Sequence, residues 1–333
     1  MDENFQARLR RLGVTKGARN LKPAPPKPPP VERPLPPTDF YEEGFDPPQP
    51  IDTLIPGIRR QETAEGACYI LDKVYPLAYR HGQDTLRDLL DLSPADTAVF
   101  TNDPRLASLD FRDFLFLDTE TTGLAGAGTL AFMVGAAFFE TGPSGDVFVV
   151  RQYFLRDHGD EPAMLLLLDE LLAAKAGLIT FNGRSFDVPL LDNRYLMNRM
   201  PTDLRQKPHI DLLPPSRRLW RQRLESCALG SLEQSLLGLR RTQDDVPGWL
   251  IPTLYTNYLR SGDARELRRV FYHNQIDMVS MVTLTGRVVR QFAQASAADH
   301  PIDLYSLGRW QAALGQPDAA DARIQLQRGA WPG

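Results

Sequence analysis

The sequence predicts an α/β fold, a mixed β-sheet flanked by α-helices, ending in a short C-terminal helical hairpin. Three observations carry that expectation. A continuous apolar run at residues 114–117 breaks off at an acidic residue, the mark of a buried central strand. Two further β-like runs follow through short turns, which predicts an antiparallel meander. Beyond them, helical and short β-like segments alternate, an order that lays helices over the faces of a sheet.

Taken in order, residues 1–20 suit a short basic amphipathic helix bearing Arg8, Arg10, Arg11, Lys16 and Arg19. Twelve prolines lie between Pro23 and Pro50. They remove backbone donors and favour extended chain, so residues 1–50 are expected to be a basic segment on a disordered, proline-rich linker. Folded structure is expected from residue 51. Residues 61–100 offer short β-like pieces at 67–71 and 74–79 and a helix-like stretch at 85–92. The strand at 114–117 leads through a glycine-rich turn at 123–128 to an apolar run at 130–139. Pro143, Ser144 and Gly145 make the next turn, before a strand at 147–154.

Residues 161–174 carry a helical stripe through Leu165, Leu168 and Leu172, stopped by Gly177. A short strand at 178–181, a helix at 188–198 and a fifth strand at 210–212 follow. The chain then reads as helical to about 295. Two last helices, 304–314 and 318–327, turn at Gly315-Gln316-Pro317, with Ala312, Ala313, Ala319, Ala320 and Ala322 available for close packing. This hairpin resembles one tetratricopeptide unit, which cannot stack on itself and so caps a neighbour or meets a partner. The expected division is 1–50, then one main domain at 51–297 with its core at about 110–293, then the hairpin at 298–333.

Composition narrows the class. Hydrophobic residues make up 42% of the 333, and no run approaches a membrane span. The N-terminus lacks an apolar leader core. Two cysteines, Cys68 and Cys227, form neither a disulfide framework nor a zinc cluster, which points to a reducing, cytoplasmic setting. The net charge of −4 argues against a generally basic nucleic-acid binder. Locally the balance reverses. Arg184, Arg194, Arg199, Arg205, Lys207, Arg217, Arg218, Arg221 and Arg223 face only Asp187, Asp192, Asp203 and Asp211. An acidic centre beside a basic flank suits a metal-dependent enzyme that works on a polyanion.

Three acidic segments are candidates for that centre. Asp118-Thr119-Glu120-Thr121-Thr122-Gly123 closes the central strand. Residues i and i+2 of a strand share a face, so the Asp118 and Glu120 carboxylates converge and call for a cation between them. Asn182-Gly183-Arg184-Ser185-Phe186-Asp187 follows another short strand, and His273-Asn274-Gln275-Ile276-Asp277 sits in a predicted helix. One acid at a strand end is ordinarily solvated or a helix cap; three in this order ask for more.

At these residues the chain resembles the DEDD exonuclease superfamily, whose first motif is Asp-x-Glu-Thr-Thr-Gly after a strand. Its second motif is matched by Asn182, Phe186 and Asp187, and its third by Asp277. The wider text, over roughly 60–290, is similar to the YprB-like ribonuclease-H-like subgroup. The resemblance implies a ribonuclease-H-like sheet and two-metal phosphodiester hydrolysis with Mg²⁺ or Mn²⁺. Asp118 would bridge both ions, Glu120 and Asp277 would complete one site, and Asp187 would support the other. Hard oxygen donors suit those ions.

The family's helper residue is a His five positions before the last Asp or a Tyr four before it. Here Tyr272 stands five before and His273 four before. Positions i and i+4 of a helix share a face, so His273 is expected to look toward the metals and take the water's proton. Thr121, Asn182, Arg184, Phe186, Arg217 and Arg218 are candidate substrate contacts. His209 and Asp211 are expected to be supporting residues, while Trp220 and Trp249 are left open. The function expected is a 3′→5′ exonuclease on DNA or RNA. A structure-specific endonuclease of the same fold and a non-cutting scaffold for nucleic acid or protein are the alternatives. Any protein partner would meet the N-terminal basic segment or the C-terminal hairpin, and no membrane partner is expected.

Overall fold

The computed structural model describes residues 47–123, 128–142, 145–242, 244–296 and 299–330, with side chains to 325. The basic N-terminal segment, most of the proline-rich run, the centre of the glycine-rich turn and the Pro143-Ser144 pair lie outside these residues. Seven strands form the main sheet: β1 Arg59–Thr63, β2 Gly66–Pro76, β3 Phe114–Thr121, β4 Ala131–Gly142, β5 Gly145–Phe154, β6 Gly177–Thr180 and β7 His209–Asp211. Their order across the sheet is β1-β2-β5-β4-β3-β6-β7. The pairs from β1 to β3 are antiparallel, whereas β3–β6 and β6–β7 are parallel. The sheet is therefore mixed, with β3 at the boundary of its two halves, as the apolar run predicts.

Parallel neighbours need crossover connections. Helix α1, Glu161–Ala173, lies between β5 and β6, and α2, Asp187–Met197, lies between β6 and β7. The later helices are α3 Leu213–Trp220, α4 Ile251–Ser261, α5 Leu267–Gln294, α6 Pro301–Ala313 and α7 Pro317–Ala330. Strand alternation divides the core between the two faces of β3. Leu115 and Leu117 join α1, α2 and α4 in one apolar cluster, while Phe114 and Phe116 join the middle of α5 and α6 in the other. Among the described residues no helix is long and apolar enough to cross a membrane.

The structure differs from the sequence reading in three places. The pieces at 67–71 and 74–79 fall in one strand, β2, which ends at Pro76. Asp72 and Lys73 interrupt its apolar pattern, and Asp72 is held there by Arg151 at 2.7 Å and Arg59 at 3.0 Å. β1, paired beside β2, is a strand that the pattern does not signal. The stretch at 85–92 is a single 3₁₀ turn, Leu86–Leu89, rather than a longer helix. In the C-terminal hairpin, Ala312, Ala313 and Ala322 are exposed, and α6 approaches α7 through Gly308 and buried Ala320 instead. A Cβ at Gly308 would lie 3.2 Å from the Ala320 carbonyl oxygen.

Helix α6 is fastened to the domain. The Arg223 guanidinium donates two hydrogen bonds to the buried Asp303 carboxylate, at 2.8 and 2.7 Å. Trp310 packs with Phe100 and Phe292 at ring separations of 5.2 and 5.0 Å.

Candidate active site

The site forms at the C-terminal end of β3, where the strand passes under α5. Asp118 and Glu120 share the face that carries Phe114 and Phe116, and α5 brings His273, Asn274 and Asp277 across it. Ligand atoms of Glu120, His273 and Asp277 all lie within 4.8 Å of one another. Asp118 stands just outside that trio and is reached by the Asn274 amide, which donates to its Oδ2 at 3.0 Å. Asp187, the first residue of α2, comes from the other side and accepts a hydrogen bond from the Thr119 hydroxyl. Thr119, between Asp118 and Glu120, points to the opposite face, as strand alternation requires.

The Asn274 amide is itself fixed. Asn274 is fully buried, and its Oδ1 accepts from Gln152 Nε2 at 3.0 Å. Gln152 donates further to the Phe271 carbonyl at 2.9 Å. Asp118, Gly135 and Gln152 stand side by side on β3, β4 and β5. Gly135 leaves the space that Asn274 fills, because a Cβ there would lie 2.4 Å from Asn274 Oδ1. A glycine inside a strand of large apolar residues is the sequence signal for such an approach.

Burial and crowding raise all four carboxyls. Asp118 is driven well above the ordinary range by desolvation, then by the charges of Asp187 and Asp277. Glu120 is driven up in the same way by desolvation and then by Asp118. Asp187 is pushed to about 6, chiefly by burial, against the pull of the Thr119 hydroxyl. Asp277 is also raised by burial, although His273 and Arg241 oppose the rise. Such a group of oxygens favours a cation.

Residues that the motif reading missed complete the surroundings. Arg241, from the loop before α4, contacts Asp277, donates to Glu233 at 2.6 Å and approaches Asp245 at 3.5 Å. Burial opposes its charge, but the hydrogen bonds it donates to Glu233 and the charge of Asp277 raise its pKa further. His273 Nδ1 lies 2.7 Å from Asp245 Oδ1 and 3.2 Å from Arg241 Nη1, with Nε2 3.5 Å from Asp277 Oδ2. A neutral ring that donates its Nδ1 proton to the nearer partner, the Asp245 carboxylate, turns Nε2 toward the acids as an acceptor. Tyr272 does not join them; its hydroxyl meets the backbone amide of Thr242. A cavity of about 670 Å³ opens over Glu233, Arg241, Asp245, Gly248, His273 and Asp277. Trp249, next to Gly248, is 77% exposed, whereas Trp220 is buried with its indole N–H on Gln291.

The candidate substrate contacts scatter. The Thr121 hydroxyl is engaged in the turn, donating to the Gly123 carbonyl at 2.7 Å. Asn182, at φ 69°, and Arg184 are exposed in a turn that Asp211 organises by accepting from both backbone amides, at 2.8 and 3.1 Å. His209, lowered to about 3 by burial, sits 2.8 Å from Thr180 beneath that turn. His209 and Asp211 thus support the turn. Phe186 is half-buried, and Arg217 and Arg218 line a separate groove.

A family model described as the RNase H superfamily matches residues 115–289. The chain is 30% identical over 265 residues to the uncharacterized protein YprB of Bacillus subtilis (strain 168), over 78% of this chain and 62% of that protein. It therefore spans less than two thirds of that relative's length.

Proposed function

The chain belongs to the RNase H superfamily, and from that membership we propose that it is a metal-dependent nuclease of the DEDD type. On this reading it removes nucleotides from the 3′ end of DNA or RNA with two divalent ions, Mg²⁺ or Mn²⁺. The observation that carries the reading is the meeting of Glu120, His273 and Asp277 donors within 4.8 Å. Beside them lies an Asp118 carboxylate that Asn274 holds in place.

The donor set fits hard divalent ions, because buried carboxyls driven up by one another are relieved by cationic charge. Asp118, Glu120, Asp187 and Asp277 are the residues that would hold them. Bound there, the ions supply an acidified water and neutralise charge building on the phosphate. The chain's own residues do the rest. Asn274 and Thr119 aim the Asp118 and Asp187 carboxylates. Asp245 holds the imidazole of His273 so that Nε2 accepts the proton of the attacking water. Arg241 braces Asp277 against Glu233.

The test uses 3′- and 5′-labelled single- and double-stranded DNA and RNA, with Mg²⁺, with Mn²⁺ and with chelator. Stepwise shortening from the 3′ end that requires metal is expected. Asp118→Asn should reduce it by several orders of magnitude while leaving the circular dichroism spectrum unchanged. Internal cuts would assign an endonuclease. Binding without cutting under every condition would make the protein a scaffold and overturn the proposal.

A further inference from the structure

A second feature lies between α3 and α6. Arg217 and Arg218 of α3, Arg221 just beyond it and Arg309 of α6 line a groove of about 500 Å³, together with Gln222, Ser306 and Trp310. All four arginines are exposed. Many arginines elsewhere in the chain are tied to acids, among them Arg194 to Glu161 and Arg223 to Asp303. Among the described residues these four have no carboxylate within 4.0 Å and no hydrogen-bond acceptor.

Two of the guanidinium groups are instead braced on aromatic rings. Arg218 lies 5.8 Å from the centre of the Trp310 ring, and Arg309 lies 5.9 Å from that of Tyr305. Stacking uses the face of the guanidinium and leaves its N–H edge free to bind, with part of the ordering cost already met. A neighbouring hollow shares Pro214, Arg218 and Trp310 with the groove and extends to Arg184 and Asp211. The basic track thus runs from the hairpin to the turn that leads into Asp187.

Four unpaired like charges on one face repel each other, and in a chain of net charge −4 solubility does not call for them. A regularly spaced polyanion relieves that repulsion and releases its own counterions. From the charge complementarity and the continuity with Arg184 we infer that this groove holds the phosphodiester backbone of the substrate, away from the bond that is cut. The C-terminal hairpin is then one wall of the nucleic-acid surface. The inference rests on the nuclease reading, because it takes the polyanion to be the substrate.

The experiment uses the full chain with Asp118→Asn, so that bound nucleic acid survives. Affinity for labelled single- and double-stranded DNA and RNA is measured across a salt series, with and without Arg217→Ala, Arg221→Ala and Arg309→Ala combined. Losing three phosphate contacts should flatten the slope of log affinity against log salt by about 2 on a single strand. The matching Arg→Lys triple variant should restore most of the slope. An unchanged slope in a triple-alanine protein with a normal melting curve overturns the groove and leaves the nuclease reading standing. Failure of the parent to bind any oligonucleotide overturns both. Binding of an acidic peptide through these arginines, with oligonucleotide binding unaffected by their loss, also overturns the inference.

Discussion

Replacing Asp187 with asparagine should stabilise the metal-free protein and weaken its response to metal. Asp187 is 3% exposed, and its carboxyl is raised from 3.8 to about 6. A group with a folded pKa above its unfolded one binds more protons when folded. Its penalty is therefore fully present above pH 6 and is relieved as the pH falls through 6 toward 3.8. A displacement of roughly two pH units corresponds to about 3 kcal/mol. Asp187→Asn removes that penalty and keeps an amide oxygen for the Thr119 hydroxyl. Urea unfolding in chelator should then show the variant more stable by about 3 kcal/mol at pH 8, with the difference vanishing near pH 4. His81 and His209, lowered by burial to about 4 and about 3, cost stability as the pH falls below 6.5. They are present in both proteins and cancel from the comparison. Mg²⁺ should raise the stability of the wild type more than that of the variant. A variant less stable than wild type at pH 8, or a difference that does not change with pH, would refute the reasoning.

Two further perturbations separate roles within the site. His273→Ala should lower turnover by about 10²–10⁴-fold with little change in metal affinity by calorimetry, while Tyr272→Phe stays near wild type. A large loss of metal affinity would make His273 a ligand rather than the base, and the reverse ranking of the two variants would misplace the helix face. Gly135→Ala would put a Cβ 2.4 Å from Asn274 Oδ1 and 2.9 Å from Met278 Sδ. It should destabilise the fold by about 1–3 kcal/mol and reduce activity by displacing the Asn274 hydrogen bond from Asp118. A variant as stable and as active as wild type in urea unfolding and hydrolysis would show that this contact constrains nothing.

What the sequence displays and what it hides divide along a physical line. The centre of the sheet is legible because β3, β4 and β5 are buried on both faces and read as apolar runs. The pairing of Asp118 with Glu120, and of His273 with Asp277, is legible because it follows from the repeat of one strand and one helix. Strand β1 is obscure, and β2 legible only as two separate pieces, for the opposite reason. β1 lies at the sheet edge with β2 beside it, and in β2 the ion pair of Asp72 with Arg151 interrupts the apolar pattern. Arg241, Asp245 and Gln152 are hidden because their contacts join segments distant in the chain, and nothing local marks an arginine that will meet Asp277. The acids come from rigid elements whose geometry the backbone fixes, whereas the Asp245 and Arg241 side chains that orient His273 and Asp277 come from the irregular segment before α4. A change in that segment can therefore disturb the proton acceptor and the Asp277 carboxylate without touching a motif residue.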